Sequence, residues 1–318
     1  MSRYPEFDNN QIRTQPISQR ASKVRVEDFA LPPLPGRSFR EWLQTLPNIL
    51  AGPRMLEIAR AVVQARTRNR AVIASLGGHV VKTGVSPVLI NLMEAGFLTA
   101  IAVNGAVAVH DLEIALFGKT SEDVVAGLRS GTFGMAKETA IFYNESVRRA
   151  AREGLGLGET LGLALLEQRP PYAHVSLLAA AYTAGVPVTV HVAIGTDIVH
   201  MHPDADGAAF GQASLRDFRI LTAQMEHLSG GGVLLNIGSA VVLPEVLLKA
   251  ISLLRNRHGD AFTDFLGVNF DFIQQYRSNQ QVVSRVESIG GRGIALTGHH
   301  EILIPLLGQA ILDVAAEG

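Results

Sequence analysis

Six short runs, most of them rich in Val, Ile or Leu and most closed by Gly, Asn, Ser or Thr, punctuate the chain. They are Ala71–Ser75, Leu98–Val103, Val186–Ala193, Gly232–Ile237, Phe265–Asn269 and Gly293–Thr297. Stretches of helical periodicity precede or follow them, among them Ser38–Leu50, Met55–Arg68, Pro87–Glu94 and Ser121–Leu128. Strands that alternate with helices predict a mainly parallel, doubly wound α/β sheet with helices on both faces. The first 37 residues are polar and then Pro-rich (Leu31-Pro32-Pro33-Leu34-Pro35-Gly36), which predicts an extended N-terminal arm. Residues 38–318 then form one domain, since no linker divides them and no repeat of fixed period appears.

Composition narrows the function. The 318 residues hold 28 Lys+Arg against 29 Asp+Glu, so no broad positive field draws nucleic acid, and no local basic cluster replaces it. The absence of Cys removes disulfides, thiolate metal sites and cysteine nucleophiles together. The first 20 residues lack the apolar core of a secretory signal. The apolar stretch from Val175 to Val199 is broken by Pro187, His191 and Asp197, and Ala184-Gly185-Val186-Pro187 splits it into a helix and a strand too short to span a bilayer. A cytoplasmic enzyme with a small-molecule substrate is the expectation.

Ligands of open parallel sheets bind outside the carboxyl ends of the strands. Those ends carry Gly77-Gly78-His79, Asn104-Gly105-Ala106, Gly238-Ser239, Asp271 and Thr297-Gly298-His299-His300. Glycine at so many strand ends lets phosphates approach backbone N–H groups, so these residues are candidate nucleotide or dinucleotide contacts. The spacing is not the G-x-G-x-x-G fingerprint. Neither a nucleophile elbow nor a phosphate loop appears: Ile237-Gly238-Ser239-Ala240-Val241 lacks the first spacing, and Phe117-Gly118-Lys119-Thr120 lacks the upstream glycine of the second. The densest polar segment runs from Gly195 to Gly207. If extended, its period of two puts His200 and His202 on one face, with Asp197 near, to bind or deprotonate a substrate. The same pair could instead hold zinc or another divalent ion, with His191 as a third ligand. His110 and Glu113 are candidates for substrate hydroxyls, and Asp111 for a helix cap. Of His299 and His300 one faces the crevice; His299 is taken as the substrate contact.

The order of these segments over roughly residues 38 to 315 resembles the deoxyhypusine synthase family. The resemblance implies a Rossmann-like fold binding NAD at subunit interfaces of a homotetramer, and a polyamine substrate. It rests on Gly77-Gly78-His79-Val80-Val81-Lys82-Thr83-Gly84, on Asn104-Gly105-Ala106 through Asp111-Leu112-Glu113, on Gly230-Gly231-Gly232-Val233, and on the last strand and helix, Thr297–Ala315. The family's imine-forming lysine is absent, since Ser288-Ile289-Gly290-Gly291-Arg292-Gly293 stands in its place and a guanidinium forms no Schiff base under these conditions. Its histidine after the glycine-rich strand is also replaced, by Val241-Val242-Leu243-Pro244. Asn104 to Gly118 further resembles the NAD-dependent ornithine cyclodeaminase branch, whose reaction needs a cysteine. The expectation is therefore a divergent NAD-dependent homo-oligomeric enzyme, transferase or oxidoreductase-like, acting on a small amine, polyamine or amino acid. Two alternatives stand beside it: a metal-dependent hydrolase or lyase built on His200 and His202, and a non-catalytic nucleotide-binding relative.

Overall fold

The computed structural model describes residues 2–317. Its contacts group the chain into two units, one up to Pro53 and one from Arg54. Within the first, residues 2–37 form only isolated 3-10 turns, Asn9–Gln11, Ile17–Gln19 and Val26–Asp28. Tyr4, Phe7, Ile17 and Phe29 are exposed there. Helix α1 (Phe39–Leu43) starts with a reciprocal cap: Ser38 Oγ accepts from Glu41 N at 3.3 Å, and Glu41 Oε2 accepts from Ser38 N at 2.7 Å. The helical periodicity predicted through Leu50 stops early. Pro47 disfavours the helical conformation of the residue before it, and Leu50 turns left-handed at φ 51°.

In chain order there follow α2 (Gly52–Thr67), β1 (Val72–Leu76), α3 (Gly78–Lys82), α4 (Ser86–Glu94), β2 (Ala100–Asn104), α5 (Gly105–Phe117), α6 (Val124–Ser130) and α7 (Lys137–Glu153). Then come α8 (Leu157–Gln168), α9 (Leu177–Ala184), β3 (Val188–His191), α10 (Gly207–Met225), β4 (Val233–Ile237), α11 (Val242–His258) and β5 (Leu266–Asp271). The short α12 (Tyr276–Ser278), a π-helical stretch (Asn279–Ser284) and α13 (Arg285–Ser288) lead to β6 (Arg292–Thr297) and α14 (His300–Ala315). Among the described residues these six strands form one sheet, all parallel, in the order β3-β2-β1-β4-β5-β6. Each expected apolar run is a strand of this sheet, and the fold is the helix-flanked, Rossmann-like α/β architecture. On one face Ile73, Ala102 and Leu234 pack with Leu221, Leu247, Leu254 and Val282. No helix among the described residues is long and apolar enough to cross a membrane.

The chain winds outward from β1 to β3 and then returns to lay β4 beside β1. The carboxyl ends of β1 and β4 therefore bound the crevice where ligands of such sheets bind. A buried polar row fixes this junction. Ser75, Asn236 and Asn269 stand side by side in the register of β1, β4 and β5. Ser75 Oγ donates to Asn236 Oδ1 at 3.2 Å, and Asn236 Nδ2 donates to Asn269 Oδ1 at 2.8 Å and to the Ser239 carbonyl at 3.0 Å. Asn269 Nδ2 in turn donates to Gln274 Oε1 at 2.8 Å. A slip of one residue would leave these groups buried without partners, at about 1–3 kcal/mol each.

The other margin of the sheet is held by Asp217 of α10, which is fully buried. Its Oδ2 accepts from Gly158 N at 3.0 Å and from Val190 N at 2.7 Å, tying the first turn of α8 to β3. A Cβ at Gly158 would lie 2.0 Å from the Val188 carbonyl oxygen, so only glycine lets helix and strand close this far. Burial pushes the Asp217 carboxyl up to about 7 despite the backbone donors. The folded state then binds a proton that the unfolded chain releases near pH 4, so this group's contribution to stability falls as pH rises from about 4 to 7. Asp217→Asn, whose amide oxygen accepts both backbone bonds, is expected to flatten the stability profile over that window in urea denaturation. Asp217→Ala is expected to cost about 2–3 kcal/mol near pH 4 and progressively less as pH rises toward 7.

Candidate functional site

The carboxyl end of β1 meets that of β4 backbone to backbone. Gly77 N donates to the Ile237 carbonyl at 2.9 Å, and a Cβ on Gly77 would lie 2.0 Å from the Gly238 carbonyl oxygen. Gly238 itself has φ 65°, and a Cβ there would lie 2.6 Å from Cε1 of His300. A Cβ on Gly78 would lie 3.1 Å from the Ala106 Cβ. The space left by these glycines is thus taken by neighbouring protein atoms, and they serve close packing of the strand ends. Ser239 is buried and its Oγ accepts from Leu243 N at 3.4 Å. Gly298 N donates to the Asp271 carbonyl at 3.1 Å, while Thr297 is exposed at the end of β6.

His300, rather than the expected His299, is the histidine of this junction. It is fully buried, with Nε2 4.0 Å from Asp271 Oδ1, and burial pushes its ring toward the neutral form. The rings of His79 and Phe272 pack against it at an angle, with centroids 5.7 and 5.9 Å away. His299 is exposed and stacks on Phe272 at 6.4 Å. The difference follows from position: His299 is the N-cap of α14, whereas His300 is its first helical residue.

A cavity of about 770 Å³ opens beside this junction, over α5. Ala106, Val109, His110, Glu113 and Phe117 line it from one face of that helix at spacings of three and four. Glu113 accepts from Thr120 Oγ1 through Oε2 at 2.5 Å and from Thr139 Oγ1 through Oε1 at 3.0 Å. His110 Nδ1 lies 2.7 Å from the same Thr120 Oγ1. Burial, aided by the charge of Lys82, lowers the His110 ring to about 4, so it is neutral at pH 7. Asp111 points the other way. It caps α9 rather than its own helix, accepting from Leu177 N at 2.7 Å, Leu178 N at 3.2 Å and Ser176 Oγ at 2.5 Å.

Asp197 closes the cavity over the first turn of α5. Asn104 caps that helix through Val107 N at 3.1 Å, and the place of a Gly105 side chain is filled by the Asp197 carboxylate, whose Oδ2 would lie 1.9 Å from a Cβ. Oδ2 is buried without a hydrogen-bond partner, and burial raises the carboxyl to about 6. His200 stands behind it: Nδ1 accepts from Gly195 N and Asp197 N, each at 3.2 Å, and Nε2 lies 3.9 Å from Asp197 Oδ2.

The expected common face of His200 and His202 does not form, because Ile198–Met201 is a 3-10 turn rather than a strand. His202 turns away, with Nε2 2.9 Å from the Gly134 carbonyl, where it holds a loop of the cavity wall. His191 is buried, lowered to about 3 by burial, and its Nε2 lies 2.9 Å from Thr189 Oγ1 on the same strand. Among the described residues no group of three or more His, Asp or Glu is placed to hold a metal ion. The metal reading of this segment loses its geometry.

Sequence reasoning missed Thr120 and Thr139 as site residues, and of the pair His299 and His300 it favoured the wrong ring. Thr120 sits in Phe117-Gly118-Lys119-Thr120, the segment whose phosphate-loop reading fails. Gly118, at φ 67°, ends α5 and turns the chain so that Thr120 falls back beside His110.

Residues 56–136 match the family described as arginine dihydrolase ArgZ-like, C-terminal, Rossmann fold. Among solved structures the chain is similar to a conserved putative LOR/SDH protein from Methanococcus maripaludis S2, at 15% identity and TM-score 0.50, covering 84% of this chain and 71% of that one. It is also similar to AgrE in its ternary complex with ornithine and NAD+, at 14% identity and TM-score 0.53, covering 83% of this chain and 33% of AgrE. A putative deoxyhypusine synthase from Entamoeba histolytica matches at 10% identity and TM-score 0.51, covering 88% and 95%. This chain therefore spans about a third of the length of AgrE. No curated protein sequence matches the chain. At these identities the likeness is one of fold, and the fold is the deoxyhypusine synthase-like one expected from segment order.

Gly105→Ala should drive its methyl group into the Asp197 carboxylate and cost about 1–3 kcal/mol, the usual range for an overpacked site. Combining it with Asp197→Gly should recover much of that loss. A double-mutant cycle by chemical denaturation is expected to show a coupling of at least about 0.5 kcal/mol, and purely additive effects would contradict the contact.

Proposed function

We propose that the chain is an NAD-dependent enzyme acting on a small amine or amino acid, with the dinucleotide at the β1/β4 junction and the substrate in the adjoining cavity. The observation that carries this reading is the buried, unpartnered carboxylate oxygen of Asp197, which lines the cavity beside the β1/β4 junction. An anionic oxygen with no protein donor fits a ligand ammonium group. The residues of the junction suit a dinucleotide in their chemistry. Asp271 and Ser239 are buried polar groups at strand ends, and His79 and Phe272 are aromatic rings beside them. A nicotinamide bound there would accept or return a hydride. The likeness to AgrE, crystallised with ornithine and NAD+, agrees with this pairing of ligands.

The side chains divide the work. Asp197 holds the amine, and His200 keeps that carboxylate in place from behind. His110 and Glu113 face the substrate from α5. Arg292, where the synthases have their lysine, forms an ion pair with Glu57 and carries no amine to form an imine.

Thermal shift on the full chain tests both ligands. Saturating NAD+ at about a hundred times its Kd should stabilise the protein by about 2.7 kcal/mol. Ornithine or putrescine should then add a further shift that grows as pH rises through about 6, because protonation of Asp197 removes the charge that attracts the amine. Asp197→Asn should lose the amine shift and keep the NAD+ shift. Absence of any NAD+ shift would overturn the enzyme reading in favour of a non-catalytic relative.

A further inference from the structure

We propose that His110 is the proton acceptor of the cavity, and that Thr120 and Glu113 act as positioning residues that place its proton on Nδ1 and leave Nε2 free for the ligand. Glu113 accepts from Thr120 and from Thr139, one on each carboxylate oxygen. A threonine hydroxyl has a single proton, and that of Thr120 is committed to Glu113. At 2.7 Å, His110 Nδ1 can only donate to the Thr120 oxygen. The neutral ring then carries its proton on Nδ1, and Nε2 presents a lone pair. Among the described residues nothing donates to that nitrogen, and the ring lies in the cavity wall.

The charges around the ring agree with a base held neutral until it is used. Lys82 on α3, Lys119 after α5, Glu122, Glu138 on α7 and Asp197 line the same cavity as Glu113. Desolvation, and after it the charge of Lys82, opposes protonation of the resting ring. When a ligand ammonium or hydroxyl gives its proton to Nε2, the electron pair of that N–H or O–H bond stays on the ligand atom. The resulting imidazolium is opposed by Glu113 through Thr120, whose hydroxyl keeps its own proton. A group of this kind removes the proton that an amine or alcohol must lose before its carbon can release a hydride. The inference rests on the proposed function for the ligand alone; the tautomer is a property of the protein by itself.

Nitrogen-15 correlation spectra of the full chain, with His110 assigned from a His110→Gln spectrum, read the tautomer directly. The expected result is a neutral ring at pH 7 with its proton on Nδ1. Thr120→Val should lose this single tautomer and Thr120→Ser should keep it, a rescue that mere space filling would not give. With NAD+ present, titration of ornithine or putrescine should move the Nε2 resonance toward its protonated position. Turnover with the same pair should fall about 100-fold or more in Thr120→Val, in kcat rather than KM, and by only a few-fold in Thr120→Ser. A proton on Nε2, or a cationic ring at pH 7, overturns the proposal. An Nε2 resonance that stays still while NAD+ and amine both stabilise the protein also overturns it, and leaves the proposed function standing. If NAD+ fails to bind, the proposed function falls while the tautomer result is still decided.

Discussion

The buried row Ser75, Asn236 and Asn269 is the constraint on which the rest of the structure depends. A parallel sheet covered on both faces has no pattern of alternating polarity to set its register, because nearly every position is apolar. Three polar side chains at one level supply that missing information. They bond to each other across β1, β4 and β5 and then to the loops beyond, through Ser239 and Gln274. The strand ends at the crevice are therefore placed by the same bonds that align the sheet. The contact of Gly77 with Gly238 follows from that alignment.

Helix α5 shows how one element serves two purposes. Successive residues on it point in opposite directions, so His110 faces the cavity while Asp111 faces α9. Asp111 is held by three donors and raised to about 6 by burial, so it fixes the helix from its far side. The cavity face is consequently carried on a rigid support, which is what a proton-transfer group requires. Asp197 completes the arrangement from the segment that follows β3, the neighbouring strand, by lying against the first turn where a side chain on residue 105 would otherwise sit.

The six strands were legible because their apolar runs and closing residues are local signals. So were the alternation that makes the sheet parallel and the strand ends that make the crevice. Helix length was less legible: Pro47 cut short the stretch predicted from Ser38 to Leu50. Within the site, Asp197, His110 and Glu113 could be found from their placement just after strands. Thr120 could not, since its role arises only after Gly118 reverses the chain. The pairing of His200 with His202 failed for the same kind of reason. A period-two reading assumes an extended backbone, and a single 3-10 turn at Ile198–Met201 sends the two rings apart. His300 and His299 were ambiguous in sequence, because one residue of offset at a helix start decides which ring is buried.

The contact between Gly105 and Asp197 joins positions that are far apart in the chain yet compete for one volume. Gly105 cannot grow alone: a larger residue at 105 requires a smaller one at 197, and with it the loss of the buried carboxylate. Among descendants of this sequence the two positions should therefore be inherited as a pair. A lineage that filled the glycine would have given up the carboxylate over α5 in the same step.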